Sequence, residues 1–207
     1  MSPRDAELSR QKILEEATKI FAAKTFEGSR VDDIAEKAGV NKALIYYYFK
    51  GKRNILDTII DNFLNEGTEA IINIGDALFK TGTKSREELM SSMGKLFDYL
   101  ETKKDILIIM MVESLIQGGP NPLLQIVEKY SGSRIDEFKK NMTEKGVVFN
   151  QDKLAWLVSE IFTGLLPSIM FVILNEELCS HIKADRKVLF EKFFEALENT
   201  HFRTHKI

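Results

Sequence analysis

The sequence predicts an all-α protein in two parts: an N-terminal helix-turn-helix domain over residues 1–52 and an all-helical domain over 53–207, joined by a long helix. Three observations carry that prediction. Apolar residues recur at spacings of three and four through most of the chain, the helical period, with no sustained strand-like alternation. Near the amino end, two short helical segments meet at Ala38-Gly39-Val40-Asn41. Beyond them, Ile55, Leu56, Ile59, Ile60, Phe63, Leu64, Ala70, Ile71, Ile74 and Leu78 keep one stripe going to about Phe79. With 44% apolar and 29% charged residues, the composition is that of an ordinary globular protein and not of a disordered chain.

The short helices are the most informative stretch. Ala35 and Ala38 close the first, Gly39 supplies the turn without a Cβ penalty, and Asn41 can cap the second by accepting a backbone N–H. Ile45 and Phe49, four apart, share the core face, and Lys42, Ala43, Tyr46 and Tyr47 fall opposite. Tyr46, Tyr47 and Tyr48 cannot all be buried by one helix. A tyrosine joins a flat apolar ring to a hydroxyl that donates to phosphate oxygens, so a fan of them beside lysines suits a nucleic-acid backbone. Lys37, Lys42, Lys50, Lys52 and Arg53 follow one another with no acid between, although the whole chain carries a net charge of −2. Phosphate attraction depends on the local field and not on the total. Alone, such a run describes a solvated helix end; with the turn and the tyrosines it points to DNA.

The first sixty residues resemble the DNA-binding domain of the tetracycline-repressor family of transcriptional regulators. The resemblance rests on Arg10, Ile13, Leu14, Ala17, Phe21, Phe26, Ser29, Val31, Ile34, Ala35, Ala38, Gly39, Val40, Ile45, Tyr46, Tyr48, Phe49, Lys52, Ile55 and Leu56. Four positions depart from that pattern: Thr25 replaces a helix-ending glycine, Arg30 a second Ser/Thr, Asn41 a serine, and Leu44 a small polar residue. The resemblance implies a ligand-responsive regulator, a repressor, that binds a near-palindromic double-stranded operator as a homodimer and is released by a small, mainly apolar effector. It implies DNA contacts from Ser29, Arg30, Lys42, Ala43, Leu44, Tyr46, Tyr47, Tyr48 and Lys52. Lys42 and Tyr47 would reach base edges or the phosphates beside them, with Tyr46, Tyr48 and Lys52 clamping phosphates; Arg30 would meet a phosphate or guanine and Leu44 a thymine methyl.

Along the chain, a helix over about 6–24 scaffolds the motif, and Ser29 reads as the cap of the helix that holds Asp32 and Asp33 in its first turn. Thr81-Gly82-Thr83 breaks the long helix, and Ser85 to Glu88 reads as a capping box. Asp105 reads as the cap of Ile106 to Val112, a segment apolar all round and therefore expected at the centre of the second domain. Gly118-Gly119-Pro120 ends it, Asn121-Pro122 starts the next helix and Gly146 stops that one. Asp152 opens a helix expected to bend or break at Pro167, and the last helix runs from Asp185 to Asn199.

The resemblance makes the second domain one of effector binding and dimerisation. By position, Leu165, Ile169, Phe190, Phe193, Phe194 and Leu197 are expected at the dimer interface, with intrachain core the competing role for each. Phe97, Met110, Met111, Trp156 and Phe162 are candidates to line the effector cavity, as adaptable thioether and aromatic groups against plain core. Glu113, an acid in the most apolar helix, can answer a cationic ligand, or with Gln117 form a solvated stripe.

Enzymatic readings find little support. No phosphate loop, nucleophile elbow or Cys-x-x-Cys is present, so neither cofactor nor metal is expected, and His201 and His205 lack an acidic third ligand beside them. Cys179, the single cysteine, excludes an internal disulfide. The longest apolar runs are shorter than a bilayer crossing, so the expectation is a cytoplasmic protein with no membrane partner. The competing classes are a same-fold regulator without an effector and a helical ligand-binding protein.

Overall fold

The computed structural model describes residues 3–79, 85–116, 121–128 and 152–204, and every regular element among them is helical. Helices α1 (Pro3–Gly28), α2 (Val31–Ala38), α3 (Lys42–Tyr48) and α4 (Lys52–Phe79) are followed by α5 (Arg86–Glu101), α6 (Lys104–Leu115), α7 (122–128) and α8 (Lys153–Ser159). A π-helical turn (Glu160–Leu165) leads into α9 (Leu166–Ile182), then α10 (Arg186–Asn199) and α11 (His201–Thr204). The breaks expected at Thr81-Gly82-Thr83, Gly118-Gly119-Pro120 and Gly146, together with Gln117 and His205, lie outside the described residues.

Packing divides the chain into two units, Met1–Ala70 with Asp105–Gln125, and Ile71–Lys104 with Ile126–Ile207. The division therefore falls inside α4 and not at 52/53. It groups α6, from Asp105 on, with the helix-turn-helix unit. Its apolar faces bury Leu107, Ile109 and Met110, and an all-round apolar pattern marks burial without saying against which neighbour.

In the first unit, α1 buries Ile13, Ala17, Ile20 and Phe21, and α4 buries Ile55, Leu56, Ile59, Ile60, Phe63 and Leu64 at the expected spacing. Each large side chain so buried contributes roughly 1.5–3 kcal/mol. Regular helical backbone is interrupted inside α1 at Thr25, whose φ of 61° and ψ of 166° are a conformation in which glycine is at ease and threonine is strained. Local bonds hold it: the Gly28 amide donates to Thr25 Oγ1 at 3.4 Å, and the Ser29 hydroxyl donates to the Thr25 carbonyl at 2.5 Å.

In the second unit, Ser85 and Glu88 form the expected reciprocal capping box, and Asp152 and Asp185 cap the helices that follow them. Asp105 does not cap α6: a turn at Thr102 and Lys103 lets the helix begin at Lys104, so Asp105 lies within its first turn. Phe97 sits edge-on to Phe171, Phe190 and Phe193 at 5.4, 5.5 and 5.6 Å, and Phe171 stacks on Phe193 at 4.2 Å. Around this core Glu101 accepts from Asn175 Nδ2 at 3.1 Å and pairs with Arg186, and Lys104 pairs with Glu176 at 2.9 Å, holding that carboxyl below its ordinary range.

At Pro167 the α-helical geometry is interrupted, as expected, but the helix does not end. The proline cannot donate to the carbonyl of Thr163, and the wider π turn just before it absorbs the missing bond, so a continuous helix of 29 residues runs from Leu154 to Ile182. By length and composition this helix is sufficient to cross a membrane, which corrects the expectation that every apolar run is too short. Most of its apolar surface faces outward: Leu154, Val158, Phe162, Met170, Leu174, Leu178 and Ile182 are exposed, each four residues or a multiple of four from the last.

The residues expected at a dimer interface lie on other faces than this ridge. Ile169, Phe194 and Leu197 are buried inside the protomer, Phe190 and Phe193 belong to the aromatic core, and Leu165 is half-buried. The helical period located these apolar residues without distinguishing which of two apolar faces turns inward. The effector candidates are distributed between the units. Phe97 and Trp156 are buried in the second, where the Trp156 indole N–H has no hydrogen-bond partner among the described residues, and Phe162, 64% exposed, stands on the outer ridge. Met110, Met111 and Glu113 are in the first unit. There Glu113, its side chain 12% exposed, faces Arg53 Nη1 at 3.6 Å, so it is an inward partner of a protein cation and not part of a solvated stripe.

Candidate nucleic-acid interface

The turn forms as its residues dictate. Gly39, with φ of 66°, ends α2 in the left-handed region; its amide donates to the Glu36 carbonyl at 3.1 Å, and that of Val40 to Ala35 at 3.0 Å. Asn41 Oδ1 then accepts from the Leu44 amide at 2.8 Å and starts α3. Ile34, Ala35, Ala38, Ile45 and Phe49 are buried beneath the turn, and the Arg10 guanidinium lies over the Phe49 ring at 5.4 Å. With its inner edge so locked, α3 presents Lys42, Ala43, Tyr46 and Tyr47 to solvent, the tyrosines 52% and 78% exposed. Leu44 is half-buried at the edge of this face.

Three residues expected at DNA are occupied elsewhere. Tyr48 packs edge-on to Tyr47 at 5.1 Å and to Phe49 at 6.5 Å, and its hydroxyl is buried with no hydrogen-bond partner among the described residues. Burial pushes that hydroxyl's pKa up, and as placed it supports the face without forming part of it. Ser29 is 3% exposed and spends its hydroxyl on Thr25, so the cap position of α2 falls to Arg30, which makes no side-chain capping bond. Lys52 donates to the carbonyls of Phe26 at 2.6 Å and Ser29 at 3.0 Å, with its ammonium over the Phe26 ring at 4.2 Å. It ties the end of α1 to the start of α4 with two of its three donors. A sequence pattern records that a lysine stands at a helix start, not which acceptors lie within its reach.

The cationic run is likewise partly committed. Lys42 Nζ lies 2.7 Å from Asp32 Oδ1, a hydrogen bond that raises the lysine's pKa. Lys24 pairs with Asp33 at 2.9 Å, and Arg53 with Asp57 at 2.9 Å. Arg30, Lys37 and Lys50 are exposed with no ion pair among the described residues, and these carry the open positive charge of the face. Asp32 was legible only as an acid favouring the α2 dipole; its contact with α3 depends on how the two helices cross.

Comparison with known proteins agrees with this geometry. Residues 13–59 match the family model described as bacterial regulatory proteins, tetR family. The uncharacterized HTH-type transcriptional regulator YerO of Bacillus subtilis is 24% identical over 107 residues, covering 52% of this chain and 36% of that protein. The HTH-type transcriptional repressor NicS of Pseudomonas putida is 26% identical over 114 residues, covering 55% of this chain and 51% of that protein. The chain thus spans about a third to a half of the length of these curated relatives. Among solved structures, the transcriptional regulator FadR from Bacillus subtilis, in complex with stearoyl-CoA, shares the fold with a TM-score of 0.62 at 20% identity, covering 90% of this chain and 96% of that one.

Proposed function

We infer the function of this chain from its family: it belongs to the tetR family of bacterial regulatory proteins and is a DNA-binding helix-turn-helix transcription regulator. It acts as a cytoplasmic repressor that binds a near-palindromic operator as a homodimer and leaves it when a small, mainly apolar effector enters the second unit. The observation that carries the DNA reading is the outward face of α3, where Lys42, Tyr46 and Tyr47 are exposed above a buried Ile45 and Phe49, with Arg30, Lys37 and Lys50 as open cations. Tyrosine hydroxyls and cations position a helix on phosphates, while the tip of α3 meets base edges.

The exposed apolar ridge of α8, the π turn and α9 supports the dimer. A contiguous apolar surface of this kind marks an interface, and a second copy covers it by an isologous contact. Two recognition helices about 34 to 36 Å apart, or a multiple of that, would then read two half-sites. Helix α4 begins directly after the recognition helix and continues into the second unit, so a change of its tilt alters head spacing and costs operator contacts. Stearoyl-CoA, held by FadR, is the first effector to try.

Selection of bound duplexes from a randomised pool tests the DNA reading, and the half-site spacing recovered reports the dimer geometry. Recovery of no enriched sequence would reject it. For the effector, calorimetric titration of stearoyl-CoA with and without the selected duplex should show weaker binding in its presence by a coupling of about 1 to 3 kcal/mol. Equal affinity in both would leave a same-fold regulator that this ligand does not control.

A further inference from the structure

Asp32 is exposed and pairs across the turn with Lys42, so it puts a negative charge beside the surface read above as DNA-facing. The cation of α3 that meets it, Lys42, is the first residue of the recognition helix, and the two side chains are 48% and 67% exposed at a separation of 2.7 Å. A helix-dipole role does not require that contact, because an acid in the first turn of α2 favours the dipole wherever its carboxylate points. The neighbouring Asp33 turns away to Lys24. Arg30, Lys37 and Lys50 have no such partner among the described residues.

We propose that Asp32 is a specificity-determining residue of the DNA interface, one that positions Lys42 and neutralises it toward phosphate at the same time. The proposal rests on the DNA-binding reading given above. An ammonium has three donors. Asp32 accepts one of them, which fixes Lys42 against α2 and leaves two for acceptors in the groove, such as the O6 and N7 of guanine. Binding to arbitrary DNA comes from phosphate neutralisation by free cations, and a lysine already paired with a carboxylate adds little to it. Asp32 therefore lowers the background more than the specific complex, and its removal narrows the gap between them.

The test uses the full chain and two probes: the duplex most enriched by the wild-type protein from a randomised pool, and a duplex of random sequence. Affinity is measured for both across a salt series, with circular dichroism confirming that each variant is folded. Asp32→Asn should raise affinity for the random duplex by about three-fold and steepen its salt dependence by about one unit, since one cation is released. The enriched duplex should gain less or lose affinity, so the specificity ratio falls. Asp32→Glu, which keeps the charge, should preserve the ratio. In a Lys42→Met background, Asp32→Asn should leave the ratio where Lys42→Met put it. An unchanged ratio in Asp32→Asn, or an equal fall with and without Lys42, would overturn the proposal by reducing Asp32 to bystander or to general repulsion. A pool from which nothing is enriched overturns the DNA-binding reading itself, and this proposal with it.

Discussion

A β-carbon on Gly164 would lie 2.7 Å from Cε1 of His201, so the π turn and α11 meet with space for a hydrogen and nothing larger. His201 Nδ1 lies 3.0 Å from Thr163 Oγ1, and its Nε2 is 3.9 Å from Glu160, which places the ring across the widened turn. Gly164→Ala must push the ring outward, and overpacking of this kind should cost about 1–3 kcal/mol in urea unfolding. In a His201→Ala background the penalty should disappear. The same cost in both backgrounds would locate the clash elsewhere.

Lys52 should behave as a structural lysine. Lys52→Met removes two charge-assisted bonds to the Phe26 and Ser29 carbonyls and the cation above the Phe26 ring, so stability should fall by about 1.5–3 kcal/mol. The salt dependence of DNA binding should stay as in wild type. Unchanged stability with a salt slope reduced by about one unit would return Lys52 to the phosphate role.

The outer ridge predicts where the dimer can be broken. Leu174 and Leu178 are each 41% exposed, so Leu174→Glu with Leu178→Glu should leave the protomer folded and bury unpaired charge only in the assembled interface. Light scattering should then report monomers, with helicity by circular dichroism unchanged. Phe194→Glu, at a position with no exposure, should instead unfold the protomer. Dimers that survive the double substitution would move the interface off α9.

Glu113 sets a pH dependence. Burial pushes its carboxyl above the ordinary value, and the Arg53 charge opposes this in part. A carboxyl raised in the folded state adds stability below its unfolded value of about pH 4.3, and that stability is lost as pH rises through the folded value. Glu113→Gln carries no charge to bury, so thermal midpoints should fall less than in wild type as pH rises through this window. At neutral pH the variant should be at least as stable as wild type. A pH profile identical to wild type would show that Glu113 meets water freely.

Much of the architecture was legible because it depends on short-range chemistry. A left-handed Gly39, the Asn41 cap, the capping box at Ser85 and Glu88, and the caps at Asp152 and Asp185 each join residues within one or two turns. Thr25 was legible only as a departure from a helix-ending glycine in the resembling pattern; its φ of 61° came from the structure. The bounds of α4 and the outward set Lys42, Ala43, Tyr46 and Tyr47 follow from helical period alone.

The sequence by itself determined that α3 has a buried edge at Ile45 and a wet one at Tyr46 and Tyr47, since 100° per residue separates them wherever the helix is placed. It did not determine what long side chains reach. Lys52 finds carbonyls 23 and 26 residues away, Glu113 meets Arg53, and Lys42 meets Asp32 across the turn. Nor did it determine which apolar face of α9 and α10 turns inward, because Ile169 and Phe194 match Leu174 and Leu178 in hydrophobicity and differ only in neighbours. Tertiary structure decided these. A cation goes to the acceptors that helix crossing brings within about 3 Å, and an apolar side chain is core only where another element arrives to cover it.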